Sequence, residues 1–285
     1  METTANYTEE ESKAIAREYK ELLRISYQTL TDEDKKVIRL AFDTAVNAHK
    51  NQRRKSGEPY IFHPIAVAKI VAQRIGLDAV SIAAALLHDV VEDTEYTNED
   101  IEQLFGKTIA HIVAGLTKIS HLSRENDISL QAENFRKLLL TMNDDVRVIL
   151  IKIADRLHNM QTMDSMAEYK QTKIASETLY IYAPIAHRIG LYNIKTELED
   201  LALKYTDPER YFMILGKMEE SKEEQQSYID AFTKIVETSL NEQKIDYYIK
   251  GRPKSIYSIN RKMESQGVTF EEVYDKFAIR IIYKS

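Results

Sequence analysis

The sequence contains no cysteine and no tryptophan among its 285 residues. Without cysteine, disulfide bridges and thiolate metal sites are excluded, so any bound metal must use histidine and carboxylate ligands. No apolar run approaches the ~20 residues that a membrane-spanning helix needs. Met1 to Thr4 do not begin a basic-then-apolar signal peptide. We therefore expect no membrane association and a cytoplasmic location.

Glycine and proline are also scarce, with eight and five residues respectively. Such sparse turn-forming residues favour helices over a fold with many β-turns. The length fits one large or two modest domains. The formal net charge of −6 argues against a protein that coats nucleic acid, so we expect no direct nucleic-acid binding. A local basic pocket for a small phosphorylated ligand stays open.

The stretch from His88 to Asp93 places one imidazole and three carboxylates directly after an alanine-rich apolar run. The run predicts a buried helix over about residues 78–91, and charged groups at its end must be paired or must bind an ion. Adjacent His88 and Asp89 can supply two ligands to one cation. Glu92 and Asp93 each follow one of them by four residues, which is one helical turn, and suit acid–base handling of a metal's water.

A second apolar helix is predicted after Asp145, and it contains Asp155, Arg156 and His158 near its end. An amphipathic helix is predicted before it, at 129–141. Asp155 taken alone could equally be a core carboxylate paired with Arg156. Two apolar helices that both end in acid and histidine make a shared ion the more plausible interpretation.

A basic loop precedes these helices. Four of the six residues from Lys50 to Lys55 are Lys or Arg, and Gly57 and Pro59 interrupt the helical pattern. The loop is either a solvated turn or an anion clamp, since Arg side chains match phosphate oxygens. His63 follows at the start of the next predicted helix. A single histidine there is more often structural, but its nearness to the basic loop favours a ligand role.

The C-terminal part differs in pattern from the helical part. We predict one long polar helix from Asp207 to about residue 240, then a strand at 245–249, a basic turn at 250–254, a helix to about Met263 and a strand at 273–283. One strand–helix–strand unit cannot bury both faces of a sheet. We therefore expect the beginning of a second, α+β domain that is cut short.

Several motifs together resemble one known family. His63, the pair His88-Asp89 and Asp155 fit the HD-superfamily pattern of a distant His, an adjacent His-Asp and a distant Asp. Nearly the whole chain resembles the bifunctional RelA/SpoT (Rel) alarmone enzymes, in the family's order, through the segments RKSGEPYIFHP, HDVVEDT, IADRLHNM, YAPIAHRIG and GRPKSIYSI.

The resemblance implies a mainly α-helical HD-domain bundle over residues 1–200, a helical connector at 201–240, and the N-terminal part of a nucleotidyltransferase-like α+β synthetase domain at 241–285. It also implies that the first domain removes the 3′-pyrophosphate of ppGpp or pppGpp and releases GDP or GTP. The family uses Mn²⁺ at this site. The ligand types by themselves would also suit iron or zinc.

The family's functional residues match positions of this sequence. The Mn²⁺ ligands match His63, His88, Asp89 and Asp155. The acidic pair that positions or activates the attacking water matches Glu92 and Asp93. The substrate contacts match Arg54, Lys55, Ser56, Asn159 and Thr162. Because the His-Asp pair and the acids that inactive members replace are all present, we expect an active hydrolase.

Four further residues match the family's synthetase, which transfers pyrophosphate from ATP to the 3′-OH of GDP or GTP. Arg252, Lys254 and Lys262 match ATP-phosphate contacts, and Asp275 matches a Mg²⁺ ligand. The match ends at Ser285, before the family's guanine-stacking Tyr and second acidic ligand, so we expect no synthetase activity from this chain. Ribosome binding is expected only through the family's C-terminal region.

Two alternatives remain open. An HD phosphohydrolase that acts on another nucleotide would share the metal site, and the loop at 53–60 and the segment at 251–262 are what favour the alarmone. A non-catalytic sensor that binds the alarmone and regulates a partner is the second alternative. The presence of every expected ligand disfavours it.

Overall fold

The computed structural model describes residues 7–26, 30–123, 144–242 and 246–283. Within these ranges, no side chain is described for residues 119–123, 224, 225, 250 and 252. The helix predicted at 129–141 lies outside the described residues. In the described part, no helix combines the length and the apolar character that a membrane span requires.

The chain divides into two compact units. Unit 1 comprises residues 1–167 and 188–194, and unit 2 comprises residues 168–187 and 195–285. The domain boundaries predicted at residues 200 and 240 stay predictions.

Unit 1 is helical in its described residues. Its elements are α1 (Glu9–Ser26), α2 (Asp32–Ala48), α3 (Phe62–Lys69) with a π-helical continuation (Ile70–Ile75), α4 (Ala79–Leu86), α5 (Val90–Asp93), α6 (Asn98–Phe105), α7 (Lys107–Ser123), α8 (Val146–Gln161) and a 3-10 turn (Met163–Ser165).

Helix α4 is the buried centre of unit 1. It begins at Asp78, whose carboxylate accepts a hydrogen bond from the backbone N–H of Ser81. The side chains from Ala83 to Leu86 have no exposed surface, and the helix contacts α2, α3, α7 and α8. Its small alanine side chains let these neighbours approach closely. The residues that follow α4 therefore begin in the interior of the unit.

The helix predicted over 78–91 is wrong in one respect, because it breaks after Leu86. Leu87 has φ −100° and ψ 0°, and its N–H lies 3.2 Å from the carbonyl oxygens of both Ala83 and Ala84. Such a shared bond tightens and ends the α-helical ladder. His88 and Asp89 consequently lie in a turn, and α5 begins only at Val90.

The remaining elements are α9 (Glu168–Glu177), a π-helix (Thr178–Tyr182), α10 (Ala183–Arg188), α11 (Tyr192–Thr206), α12 (Pro208–Glu220), α13 (Lys222–Glu242), β1 (Tyr247–Pro253), α14 (Ile256–Gln266) and β2 (Phe277–Tyr283). Strands β1 and β2 form an antiparallel pair in which Tyr247 lies opposite Tyr283 and Pro253 opposite Phe277. The apolar core of unit 2 contains Leu203, Ile214, Ile256, Ile259, Phe270 and Val273. The predicted class, a helical bundle followed by a small α+β part, is confirmed.

Two predicted elements of unit 2 are wrong. The single helix from Asp207 to residue 240 is divided at Ser221, whose hydroxyl donates to the Lys217 carbonyl at 2.8 Å and competes with the helical ladder. The basic turn at 250–254 is mostly strand, because β1 continues to Pro253. Its ladder with β2 outweighs the turn preference of a Gly-Arg-Pro sequence.

One half-buried carboxylate in unit 2, that of Asp200, gives a testable pH dependence. Asp200 on α11 accepts a hydrogen bond from the backbone N–H of Tyr257 at 2.8 Å, which caps the start of α14. Burial raises the pKa of Asp200 from 3.8 to about 6, against the opposing hydrogen bond from Tyr257. The folded state therefore binds this proton more tightly than the unfolded state, and the stability that it contributes is lost as pH rises through about 6.

We expect Asp200→Asn to keep the cap, because the amide oxygen still accepts, and to remove the cost of a buried charge. Its free energy of unfolding should exceed that of the parent by about 2 kcal/mol at pH 7.5 and by about zero at pH 4. Urea denaturation at both pH values measures the difference, with the exposed Asp230→Asn as control. A gain that is equal at the two pH values would contradict the assignment.

Candidate metal centre and active site

Four side chains from three separate parts of unit 1 converge on one point. His63 lies in the first turn of α3, His88 and Asp89 lie in the turn after α4, and Asp155 lies within α8. One ligand atom from each of His63, His88 and Asp155 falls within 4.8 Å of the others, and all three residues are buried. The sequence placed these residues in one ligand set although 92 positions separate the first from the last (155 − 63).

The distances between these side chains show that their imidazole nitrogens and carboxylate oxygens, which can each ligate a cation, face one another. The His63 Nε2 atom lies 3.3 Å from Asp155 Oδ1 and 3.6 Å from Asp89 Oδ2. The His88 Nε2 atom lies 3.0 Å from the same oxygen of Asp89 and 3.9 Å from Asp155 Oδ1. Asp89 thus joins the other three as a fourth donor.

A backbone carbonyl fixes the orientation of the His88 imidazole. The Nδ1 atom of His88 donates to the Ala85 carbonyl at 2.8 Å, so its Nε2 atom points at the cluster. That Nε2 atom is buried, and Asp89 Oδ2 lies 3.0 Å from it. Two imidazole nitrogens and two carboxylates around one point fit a divalent cation of the type that accepts mixed nitrogen and oxygen ligands.

The charges of the cluster are consistent with a cation site. Burial opposes ionisation of Asp155, yet the adjacent Lys152 ammonium holds its pKa well below 3.8. Burial likewise opposes a charge on His88, but the adjacent Asp89 carboxylate outweighs it and raises the pKa of His88 to about 9. The two carboxylates are therefore ionised at neutral pH, and a bound cation would displace the imidazole proton.

Three residues outside the predicted ligand and substrate-contact sets support the cluster. Lys152, three residues before Asp155 on α8, places its Nζ atom 2.7 Å from Asp155 Oδ2. The Tyr60 hydroxyl donates to Asp89 Oδ2 at 2.6 Å. Burial, followed by the charge of Asp89, raises the pKa of this phenol, so it stays a donor. The three-residue spacing between Lys152 and Asp155 could have indicated their contact. The contact between Tyr60 and Asp89 joins two segments that are distant in sequence.

The third is His158, which lies between the basic loop and the cluster. Its Nδ1 atom is 2.7 Å from the Nδ1 atom of His63 and 3.3 Å from Arg54 Nη1. Burial, then the charges of His63 and Arg54, lower the pKa of His158 to about 3. Because Arg54 can only donate, the neutral His158 accepts through Nδ1, and His63 donates its Nδ1–H. The Nε2 lone pair of His63 is thereby directed at the cluster.

The predicted substrate contacts divide into two groups. Arg54 donates from Nη2 to Asn159 Oδ1 at 3.2 Å, and Asn159 donates to Asp155 Oδ1 at 2.6 Å. These two residues thus connect the loop to the cluster. Lys55 and Ser56 are exposed in the turn that Gly57 closes, where Gly57 has the positive φ of 91° that its missing Cβ allows.

The two arginines of the basic loop have different partners. Arg53 forms a two-pronged ion pair with Glu11 of α1, at 2.7 and 3.2 Å, and is held away from the cluster. Arg54 alone is directed at α8. The predicted contact Thr162 donates its hydroxyl to the His158 carbonyl at 2.8 Å and so closes the end of that helix.

The predicted acid pair lies on the same turn as two of the ligands. Glu92 is half-buried and Asp93 is exposed on α5. The backbone N–H of Asp93 donates to the Asp89 carbonyl at 2.9 Å. The structure therefore ties the acid pair to the cluster through the backbone of one helical turn.

Three of the four predicted synthetase residues meet in unit 2. Lys254 and Lys262 both contact Asp275 Oδ2, the former at 2.5 Å. The hydrogen bonds from these two lysines lower the pKa of Asp275 to about 2. Lys254 and Asp275 also help to line a cavity of about 590 Å³. Arg252 lies opposite Ala278 in the β ladder, and its side chain is outside the described residues.

The fold and the cluster define the class of protein. Residues 41–192 match the family model described as HD domain, and the chain belongs to the HD domain family. Residues 251–285 match the model described as a region found in RelA / SpoT proteins. The chain is thus an HD domain protein that also carries, at residues 251–285, a region found in RelA / SpoT proteins.

Three curated relatives are similar over most of the chain. The GTP pyrophosphokinase of Myxococcus xanthus is 45% identical over 254 residues, which are 88% of this chain and 33% of the relative. The probable guanosine-3′,5′-bis(diphosphate) 3′-pyrophosphohydrolase of Synechocystis is 46% identical over 86% of this chain and 32% of the relative. The bifunctional (p)ppGpp synthase/hydrolase SpoT of Escherichia coli K12 is 45% identical over 90% of this chain and 36% of the relative. The chain thus spans about a third of their length.

Proposed function

We propose that unit 1 is a Mn²⁺-dependent hydrolase that removes the 3′-pyrophosphate of ppGpp or pppGpp, releasing pyrophosphate and GDP or GTP. The observation that carries the proposal is the convergence of His63, His88, Asp89 and Asp155, bordered by the bridge from Arg54 to Asn159. The names of the relatives from Synechocystis and Escherichia coli support the substrate.

Each group of residues has a separate task in this reaction. When bound, a divalent cation supplies Lewis-acid polarisation of the phosphate and activation of water at neutral pH. His63, His88, Asp89 and Asp155 would hold it. Arg54 presents a planar fork to the phosphate oxygens, and Asn159 sets the direction of that fork relative to Asp155.

The acid pair moves the protons. Water attacks the phosphorus that is bonded to the 3′ oxygen, and a new P–O bond forms as the bond to the 3′ oxygen breaks. Glu92 or Asp93 accepts the proton of the attacking water and can return it to the departing 3′ oxygen. Pyrophosphate and a free 3′-OH result.

Incubation of the purified chain with ppGpp and product analysis test the proposal. We expect pyrophosphate and GDP in the presence of Mn²⁺ and neither after chelation. Parallel reactions with zinc or iron identify the cation, since the ligand types suit these metals as well. A panel of nucleoside mono- and triphosphates tests for another phosphohydrolase, which would prefer one of them. Tight ppGpp binding without turnover under every metal would favour the sensor instead.

We propose a second activity for a complete synthetase domain of the kind that residues 251–285 match. Lys254 and Lys262 both contact Asp275, and Lys254 and Asp275 line one cavity, which supports roles as ATP-phosphate contacts and a Mg²⁺ ligand. The name of the Myxococcus xanthus relative supports pyrophosphate transfer from ATP. Measurement of (p)ppGpp formed from ATP and GDP, with and without Mg²⁺, tests it.

A further inference from the structure

His49 and Gln52 contact residues of the site, but the reaction proposed for unit 1 uses neither of them. His49 ends α2 and has no exposed surface. Its ring packs against the ring of Tyr60, with 4.8 Å between the centroids. A fully buried imidazole is costly unless its polar atoms find partners. Its Nδ1 atom has one, the Gln52 Oε1 atom, at 2.6 Å.

The side-chain amide of Gln52 contacts both His49 and the backbone of the acid pair. Its Nε2 atom donates to the backbone carbonyl of Asp93 at 2.6 Å, across 41 positions of sequence. Since a carbonyl can only accept, the NH₂ end of Gln52 must face Asp93. The Oε1 atom then accepts the Nδ1–H of His49, so one orientation of the Gln52 amide serves both contacts. The Nε2 atom of His49 is buried and has no hydrogen-bond partner among the described residues.

The contacted carbonyl ends a segment that has little stability of its own. Helix α5 has four residues, and Thr94 after it is extended. One helical turn cannot persist alone, and the carbonyls at its end lack helical partners. Gln52 supplies a partner to the carbonyl of Asp93, next to the peptide that carries Glu92. This bond therefore adds to the backbone bond from Asp93 to Asp89 in holding the turn that carries both acids.

His49 also supports the ligand side of the site through Tyr60, whose hydroxyl donates to Asp89 Oδ2 at 2.6 Å. Two sets of contacts thus start from the buried His49 ring. One set reaches the acid pair through Gln52, and the other reaches a cation ligand through Tyr60. Because they end on different groups, their loss should have different kinetic signatures.

We propose that Gln52, held in one orientation by His49, is a positioning residue that fixes the Glu92-Asp93 backbone relative to the attacking water. This inference rests on the proposed hydrolysis of (p)ppGpp. Loss of the hydrogen bonds that run from His49 through Gln52 to Asp93 should therefore lower turnover and leave the binding of substrate and cation unchanged.

Gln52→Met tests the first step, because methionine has a similar length and neither donates nor accepts strongly. We expect kcat for ppGpp to fall about 10- to 100-fold, with KM and Mn²⁺ affinity within about twofold of the parent. Gln73→Met, at an exposed position, is the matched control and should change none of these values.

His49→Phe tests the second step, since phenylalanine preserves the ring contact with Tyr60 but cannot donate to Gln52. It should lower kcat as Gln52→Met does, and the double variant should be no worse than the more affected single variant, because both act through one chain of bonds. Tyr60→Phe should instead weaken Mn²⁺ binding, measured by calorimetry, by about tenfold.

Hydrogen–deuterium exchange gives a readout that needs no turnover. In the metal-free protein, the amides of residues 90–96 should exchange faster in Gln52→Met than in the parent or in Gln73→Met. Unchanged kcat, a fall in Mn²⁺ affinity that matches the fall in kcat, or unchanged exchange would each overturn the inference. Failure of the proposed function is distinguishable, since the parent chain itself would then release no pyrophosphate.

Discussion

Replacing Asp89 by alanine is expected to abolish release of pyrophosphate from ppGpp. The Asp89 Oδ2 atom lies 3.0 Å from the Nε2 atom of His88 and 3.6 Å from that of His63, so its removal deletes a carboxylate ligand that adjoins both imidazoles. We expect kcat/KM to fall by about a thousandfold or more and Mn²⁺ binding to weaken in parallel. A coupled pyrophosphate assay and calorimetric metal titration measure the two effects.

Two further variants separate chemistry from folding. Asp89→Ala also deprives the buried Tyr60 hydroxyl of its acceptor, at a cost of about 1–3 kcal/mol. Asp89→Asn keeps an acceptor for Tyr60 and loses only the charge, so it should fold like the parent and still fail in turnover. Asp43→Ala removes an exposed aspartate that pairs with Arg39 and should leave activity intact. Metal-dependent turnover by Asp89→Asn at the parental rate would disprove the ligand assignment.

A shared site for His88, Asp89 and Asp155 was predictable because such residue types are rare in apolar helices, whereas His63 entered the predicted ligand set through the family resemblance. A histidine or carboxylate at the end of an apolar run requires a partner, and two such runs suggest a shared one. Periodicity could not locate the break after Leu86, since the alanines up to that point continue the helical pattern. The four-residue spacing from Asp89 to Asp93 nevertheless survives, because α5 resumes the turn and the N–H of Asp93 bonds to the Asp89 carbonyl.

The supporting contacts could not be predicted for a different reason. The bond between His63 and His158 joins residues 95 positions apart, and that between Tyr60 and Asp89 joins residues 29 apart. Such contacts depend on how α3, α4 and α8 pack, which no local pattern encodes. The contact between Lys152 and Asp155 could have been predicted from the sequence, because a residue three positions before Asp155 shares its helix face.

The C-terminal errors have a common cause. Local preference predicted a turn at Gly251 and Pro253 and an uninterrupted helix through Ser221. In the structure, the ladder between β1 and β2 holds the first two residues in a strand, and a side-chain bond to Lys217 ends the helix at the third. In each case a specific hydrogen bond overrides a propensity worth about 1 kcal/mol or less.

Replacing Lys152 by methionine is expected to destabilise the metal-free protein strongly. Its ammonium lies 2.7 Å from Asp155 Oδ2, and both side chains are buried. Removing one partner of a buried ion pair leaves an uncompensated charge, which costs about 3–5 kcal/mol. The pKa of Asp155 should rise, because Lys152 is the largest of the influences that lower it. The free energy of unfolding at pH 7, from urea denaturation after chelation, measures the loss.

A divalent cation should offset much of this loss, because its charge replaces that of Lys152 beside the same carboxylate. The rise in melting temperature on adding Mn²⁺ should therefore be larger for Lys152→Met than for the parent. Lys69→Met removes a partly exposed pair with Glu18, and should cost at most about 1 kcal/mol with or without the metal. If Mn²⁺ raised the melting temperatures of Lys152→Met and the parent equally, the cation would not lie against Asp155, and the four converging side chains would need another explanation.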